Sequence, residues 1–189
     1  MTEKIKINLG SGHWKFPGWV NVDLDRESLP QVCANLAFAL PFRSESVDLV
    51  HSEDFIDQLE LQQARRLLTE CHRILKPNGV LRILTPDLEQ LAQLYLHDQA
   101  RLQRLWREHV GVPMEIGSAG EIFNLGMRFA GHTFLYDAET FTLLAAECGF
   151  DARRVAYQQS DIPELRGLDL RSPDDAISLY FDCYKAGGS

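Results

Sequence analysis

The chain has 189 residues and is acidic, with a formal net charge of −8 and a pI of about 5.2. This charge argues against non-specific binding to nucleic acid. Hydrophobic residues make up 45% and charged residues 24%, as in ordinary globular proteins, and no apolar run is long enough to span a membrane. We therefore expect one domain over residues 1–189, with no nucleic-acid partner and no membrane span.

The cysteines and histidines give no sign of a disulfide framework or a metal site. The four cysteines form no Cys-x-x-Cys pair, and the six histidines lack the spacing of metal ligands. The chain starts almost directly in a predicted strand, so no signal peptide is expected. These features favour a reduced, cytoplasmic protein.

The chain begins with two short predicted strands, over residues 5–9 and 20–24, around a glycine loop. Alternating apolar and polar residues indicate both strands. Gly10 and Gly12 lack a Cβ, so the backbone between the strands can approach a ligand closely. Asp23 lies near the end of the second strand, at the edge where open α/β sheets bind ligands. Its carboxylate suits the two hydroxyls of a ribose, so this stretch indicates a nucleoside-cofactor site.

The glycine loop favours S-adenosylmethionine over a dinucleotide. A dinucleotide site has G-x-G-x-x-G opening into a helix whose N-terminus binds the pyrophosphate. Here Pro17 and Gly18 would end any helix soon after Gly12. S-adenosylmethionine has an adenosine and a cationic sulfonium but no phosphate, so it needs close backbone and little anion binding. A tight turn with no ligand role is the plainer alternative.

The first crossovers are too short for full helices. A brief third strand is predicted over residues 31–34, only a few residues after the second. Parallel strands normally need a crossover of roughly a dozen residues or more, usually with a helix. The alternating strands also predict one face without helical cover. We expect that face to be covered either by a second copy, in a homodimer, or by a packed-down insertion.

The rest of the chain alternates strands and helices. Strands are predicted over 47–52 and 80–84, a helix over 61–75 between them, and final strands near 153–158 and 176–185. Thr85 and Pro86 are predicted to start a helix that runs to about residue 109. Residues 110–131 read as an irregular loop insertion near the active site. Asp137 is predicted to cap a last helix.

Four blocks of this sequence resemble class I S-adenosylmethionine-dependent methyltransferases of the small methyltransferase type 11-like group. They are Asn8–Gly12 with Pro17–Asp23, Leu40–Val50, Glu70–Leu81 and Gly131–Phe150. The resemblance implies an α/β, Rossmann-like sheet, mostly parallel with an antiparallel last strand, here with shortened N-terminal crossovers. It also implies methyl transfer to a small-molecule or sugar-like acceptor. A non-catalytic cofactor-binding protein on the same fold, a regulatory or partner subunit, is the alternative.

By this resemblance, nine residues would bind the cofactor: Leu9, Gly10, Ser11, Gly12, Asp23, Asn35, Leu36, His51 and Ser52. Two positions depart from the family pattern. Asn35 stands where the family often has an acidic residue near the adenine, and Asp57-Gln58 replaces a Glu-His pair. The first departure reduces the electrostatic attraction for the cofactor, and the second removes a histidine.

His132 is the main catalytic candidate. It follows the irregular segment, and a histidine can take a proton from an acceptor hydroxyl near neutral pH. An equally good interpretation is a histidine that holds its loop in place. Tyr136 and Asp57 are second candidates, although residues of these types are more often structural.

Overall fold

The computed structural model describes residues 3–110 and 117–186. The strands are β1 (Lys6–Leu9), β2 (Val20–Asp23), β3 (Val32–Cys33), β4 (Val47–Glu53), β5 (Leu75–Pro86), β6 (Phe150–Arg154) and β7 (Ser178–Lys185). The α-helices in these residues are α1 (Leu61–Ile74), α2 (Leu88–His97), α3 (Gln99–Leu105), α4 (Ala119–Gly126) and α5 (Ala138–Glu147). A π-helical turn covers Trp106–Val110, and short 3-10 helices include Ile56–Gln58 and Phe129–Gly131.

All seven strands form one sheet in the order β3-β2-β1-β4-β5-β7-β6. β7 runs antiparallel to both neighbours, and the other pairs are parallel. The predicted Rossmann-like sheet with an antiparallel last strand is therefore confirmed. Strand order reverses between β1 and β4, and in such sheets ligands bind beside the carboxyl ends of the strands at that point.

One face of the sheet carries the main core. α1 and α5 pack there, and Asp137 caps α5 as predicted by accepting from the Thr140 N–H at 2.7 Å. The core side chains share almost complete burial and come from strands and both helices, among them Ile7, Val50, Leu68, Leu81, Phe141 and Phe181. Burying this apolar surface is the dominant favourable contribution to folding.

The opposite face is covered by irregular segments of the chain itself. Phe16 and Trp19, from the helix-free β1–β2 connection, cluster with Leu49, Val80 and Leu165. The short crossovers are thus present as predicted. The packed-down alternative is thus present for this part of the face, whereas Trp14, Leu24 and Phe38 of the N-terminal half are exposed, so the homodimer stays a prediction.

A buried polar network fixes the long β6–β7 connection to this face. The Arg82 guanidinium, fully buried on β5, contacts the carboxylates of Asp169 and Asp182 and donates to the Gln159 carbonyl at 3.0 Å. Ser160 donates to Asp182 at 2.6 Å. Since a buried charge is tolerated only when it is paired and hydrogen-bonded, this network holds the connection in one place.

The start of α2 differs from the prediction. Thr85 and Pro86 belong to β5, because this strand is extended by its antiparallel partner β7. Asp87 is the N-cap of α2 instead, and its side chain accepts from the Gln90 N–H at 3.1 Å. The Thr85 hydroxyl is buried and points to Asp57, at 3.4 Å, so it is not available as a cap.

The helix predicted to continue to about residue 109 is broken at Asp98. This residue ends α2, and its side chain caps α3 by accepting from the Arg101 N–H at 3.0 Å. The segment predicted as an irregular loop contains α4, whose N-cap Ser118 accepts from the Glu121 N–H at 3.2 Å. Residues 111–116 of that predicted loop lie outside the described residues.

The strand predicted near residues 153–158 begins at Phe150 and ends at Arg154, because its register is set by pairing with β7. Within the described ranges, every helix is too short or too polar to cross a membrane.

Candidate functional site

A cavity of about 640 Å³ lies at the carboxyl ends of β1, β4 and β5. Its walls come from the glycine loop after β1, the tip of β4, helices α2–α4, and residues 126–135 and 170–178. Ligand pockets in proteins commonly measure about 300–1,000 Å³. The cavity therefore lies where the strand order predicts a ligand and has a suitable size for one.

The glycine loop is folded tightly against the strand ends. Gly10 has a φ of +65°, and a Cβ there would lie 2.7 Å from the Phe55 ring, so only glycine fits. The Gly12 N–H donates to the Asp23 carboxylate at 2.7 Å, and Lys15 Nζ donates to the Gly12 carbonyl at 2.6 Å. With the hydrogen bond of the Ser11 N–H to the Val22 carbonyl at 3.2 Å, these contacts fix the loop at the edge of the cavity.

Four of the nine predicted cofactor-binding residues line the cavity: Gly10, Ser11, Gly12 and His51. The others do not. Leu9 and Leu36 are buried in the main core, and Ser52 is buried on β4. Leu9 lies on β1, where strand alternation directs its side chain into the core, and Leu36 lies in the turn after β3 with its side chain in the same core.

Asp23 and Asn35 lie beside the cavity rather than in its wall. Both carboxylate oxygens of Asp23 accept from backbone, from Gly12 at 2.7 Å and Asp25 at 2.8 Å. Asn35 accepts from the Ala37 N–H at 3.0 Å, which makes a local turn. A carboxylate has about four lone-pair directions, so Asp23 retains capacity for further hydrogen bonds.

His51 presents a hydrogen-bond acceptor at the cavity wall. Asn8 uses its amide N–H₂ to donate to the Trp14 carbonyl and to Asn21, both at 3.1 Å, so its oxygen faces His51 Nδ1 at 3.1 Å. Nδ1 therefore carries the proton. Burial, with a smaller contribution from Arg82, lowers the pKa of His51 to about 3, so the ring is neutral. Its Nε2 is a buried acceptor without a partner among the described residues, which fits a polar ligand.

Glu53 is a functional candidate that the sequence reading missed. It ends β4, lines the cavity, and accepts from the backbone N–H groups of Leu170 at 3.1 Å and Arg171 at 2.9 Å. Burial raises its pKa to about 7, although these hydrogen bonds oppose the rise. The signal that could have identified it was an acidic residue directly after the strand predicted over residues 47–52. When ionised, Glu53 attracts a cation such as a sulfonium or an ammonium group.

The structure brings the three predicted catalytic residues into one cluster. His132 lines the cavity, and its Nε2 lies 3.3 Å from Asp57 Oδ2. Asp57 is fully buried, and Tyr136 is fully buried close to it. Burial raises the pKa of Asp57 to about 6, and the nearby Asp54 raises it further, whereas His132 opposes the rise. Only His132 of the three reaches the cavity.

Both ring nitrogens of His132 contact other groups of the protein. Nδ1 lies 2.9 Å from the Gly126 carbonyl, which can only accept, so Nδ1 carries a proton. Nε2 faces Asp57 Oδ2, and that oxygen is buried without a hydrogen-bond partner among the described residues. As it stands, this arrangement anchors residues 126–132 onto Asp57. A base role requires Nε2 to turn away from that carboxyl group.

Part of the chain matches a known family. Residues 19–83, which span β2 through most of β5, match the family "Methyltransferase domain". An uncharacterized protein of Haemophilus influenzae is 34% identical over 82 residues, which cover 35% of this chain and 32% of that protein. The match thus spans about a third of the relative's length.

Solved structures share the fold over nearly the whole chain. A SAM-dependent methyltransferase of Archaeoglobus fulgidus has a TM-score of 0.60 at 11% identity, covering 96% of this chain and 86% of that one. A SAM-dependent methyltransferase of Mesorhizobium loti has a TM-score of 0.58 at 18% identity, covering 98% of this chain and 94% of that one. A complex of the Haloferax volcanii Trm112 methyltransferase activator with a putative methyltransferase has a TM-score of 0.58 at 16% identity, covering 99% of this chain and 84% of that one.

The family match and the shared fold confirm the resemblance to class I S-adenosylmethionine-dependent methyltransferases. The cofactor that they imply is S-adenosylmethionine.

Proposed function

We propose that this chain, which has the class I methyltransferase fold, transfers a methyl group from S-adenosylmethionine to a small-molecule acceptor. The observation that supports this most is the single cavity whose wall includes both the glycine loop and His132. Cofactor and acceptor can therefore meet in one enclosed space. Alignment of two reactants in this way supplies much of the rate of a bimolecular displacement.

The residues at the strand ends fit the cofactor. We assign the methionine part to the loop of Gly10, Ser11 and Gly12, where the missing Cβ atoms allow close approach, the ribose to Asp23, and the adenine edge to Asn35 and Leu36. His51 Nε2, the buried acceptor without a partner, suits an N–H or O–H of the cofactor. Ser52 Oγ is likewise buried without a partner among the described residues. Leu9 supports the loop from the core.

The cofactor supplies an activated methyl group, and the protein has to place an acceptor in line with it. A hydroxyl acceptor must also lose a proton, and a positioned base accelerates such a step by roughly 10²–10⁴-fold. We assign this role to His132 once Nε2 has left Asp57. Asp57, with Tyr136 packed beside it, holds the ring in place until Nε2 turns to the acceptor, and the bond of Nδ1 to the Gly126 carbonyl keeps the ring oriented afterwards.

Methyl transfer into small-molecule extracts tests the proposal. We expect labelled methyl groups from S-adenosylmethionine to enter a low-molecular-weight product. The variant His132→Ala should reduce turnover of a hydroxyl acceptor by roughly 10²-fold or more. The exposed His97 on α2 provides the control, and His97→Ala should leave turnover unchanged. Equal turnover of His132→Ala and wild type would exclude the base, and no labelled product in any extract would exclude catalysis.

A non-catalytic cofactor-binding protein is the second candidate. The observation that favours it is the engagement of both His132 nitrogens by Gly126 and Asp57. A structural relative is a putative methyltransferase in complex with an activator, so a partner subunit is a further arrangement to test. Cofactor binding without methyl transfer, with or without such a partner, would favour this candidate.

The four free cysteines support a reducing, cytoplasmic location for either function.

A further inference from the structure

We infer that the acceptor is a largely apolar molecule with one hydroxyl group and no anionic group, of the alkylphenol class, and not a sugar or a phosphorylated compound. This inference rests on the proposed function. It is drawn from the part of the cavity that faces away from the glycine loop.

Helices α2–α4 form a hydrophobic cluster that is separate from the main core, and one side of this cluster lines the cavity. The shared side chains are at most 9% exposed: Leu91, Leu102, Leu105, Trp106, Ile122 and Leu135. Such walls bind apolar groups. A sugar bound there would leave several hydroxyl groups without hydrogen-bond partners, and each unsatisfied group costs free energy.

One polar group in this wall is unsatisfied. Trp106 is 7% exposed and lines the cavity, and its indole Nε1–H is buried with no acceptor among the described residues. Its ring packs edge-on against Phe129 at 5.8 Å between centroids, which fixes its orientation. An indole N–H can only donate. A single oxygen on the ligand therefore satisfies it, and the leucine and isoleucine side chains around it favour an apolar remainder.

The charge of the cavity excludes anions. Apart from histidines, the ionisable lining side chains are the carboxyl groups of Glu53, Asp54, Asp87 and Asp175 and a single guanidinium, that of Arg171. Arg171 is already paired with Asp54 at 2.6 Å. Asp87 is paired with Arg154 at 3.5 Å and Asp175 lies 3.5 Å from His109, so the described part of the lining offers an excess of carboxylates and no free guanidinium. A phosphate or carboxylate on the acceptor would be repelled there, whereas a neutral phenol would not.

Binding of three matched sets of probes tests the inference: alkylphenols of increasing chain length, the corresponding phenyl glucosides, and the corresponding phenyl phosphates. Titration calorimetry is done with and without S-adenosylhomocysteine. For the alkylphenols, we expect affinity to rise about fourfold per added methylene, equivalent to about 0.8 kcal/mol. Glucosides and phosphates should bind at least tenfold more weakly. Tighter binding of glucosides or phosphates, or no dependence on chain length, would overturn the inference.

Two pairs of variants locate the binding. Leu102→Ala should weaken the longer alkylphenols, whereas Leu96→Ala, an exposed position on α2, should not. Because a buried leucine variant risks misfolding, a second pair uses exposed acids. Asp175→Lys should improve phosphate binding, and Asp174→Lys, which is adjacent but outside the lining, should not. If both lysine variants behave alike, the charge argument is refuted.

The titrations with S-adenosylhomocysteine distinguish a wrong acceptor class from a wrong proposed function. Binding of S-adenosylhomocysteine together with rejection of every alkylphenol refutes the acceptor class and leaves methyl transfer standing. Binding of alkylphenols without any binding of S-adenosylhomocysteine refutes methyl transfer and leaves the apolar pocket standing.

Discussion

Replacing Glu53 with glutamine should stabilise the protein at alkaline pH and not at acidic pH. Burial raises the pKa of Glu53 from 4.5 to about 7, and the side chain is 8% exposed. The folded state therefore holds the proton more tightly than the unfolded state. The stabilising contribution of the protonated form is complete below pH 4.5 and is lost as the pH rises through 7.

The size of the effect follows from the two pKa values. Ionised Glu53 costs the fold about 3 kcal/mol at pH 8 but only about 1 kcal/mol at pH 5. Glutamine avoids this cost, although it accepts less strongly from the Leu170 and Arg171 N–H groups, a loss of about 1 kcal/mol. The net prediction is a gain of about 2 kcal/mol at pH 8 and no gain at pH 5.

Urea unfolding at a series of pH values measures this effect directly. The difference in free energy of unfolding between Glu53→Gln and wild type should grow by about 2 kcal/mol between pH 5 and pH 8. Comparison at each pH cancels the titration of the other groups. A difference that does not change with pH would refute the reasoning. Stabilisation accompanied by weaker cofactor binding would indicate that the carboxylate is kept for function.

Two further variants test the local structure. Gly10→Ala should destabilise the protein by about 1 kcal/mol because of the positive φ and by about 1–3 kcal/mol more because the new methyl group collides with Phe55. Urea unfolding measures both costs. Gly167→Ala, at φ +73° with open space around it, should show only the first cost. Arg82→Met should cost about 3–5 kcal/mol because it leaves two buried carboxylates unpaired, whereas Arg153→Met, in an exposed pair, should leave the thermal midpoint unchanged. Equal losses within either pair would contradict the packing described here.

The sheet could be predicted from the sequence because its pattern is local. Alternating apolar and polar residues indicated β1 and β2. The apolar stripe of α1 and the N-cap of α5 also depend only on residues close together in the sequence. The end of β5 could not be predicted, because its extension through Thr85 depends on pairing with β7 almost a hundred residues later. The sequence predicted a sheet face without helical cover, but it did not predict that Arg82 would hold the distant β6–β7 connection on that face.

The site shows the same division. The glycine loop was identified because it directly follows β1, and His51 because the family resemblance implies a cofactor contact near the end of β4. Asp57 and His132 were named separately, and only the fold shows that they touch. Trp106 could not be recognised as a cavity residue, because its role depends on three helices packing together. Sequence alone does not determine which face of such a helix meets the cavity.

The central claim is that the cavity beside the glycine loop binds S-adenosylmethionine. Thermal unfolding with S-adenosylhomocysteine tests it most directly. At a ligand concentration a hundred times its Kd, the protein should gain about 2.7 kcal/mol of stability, visible as a higher midpoint, and NAD should produce no shift. An unchanged midpoint at millimolar S-adenosylhomocysteine, or a shift with NAD instead, would contradict the claim.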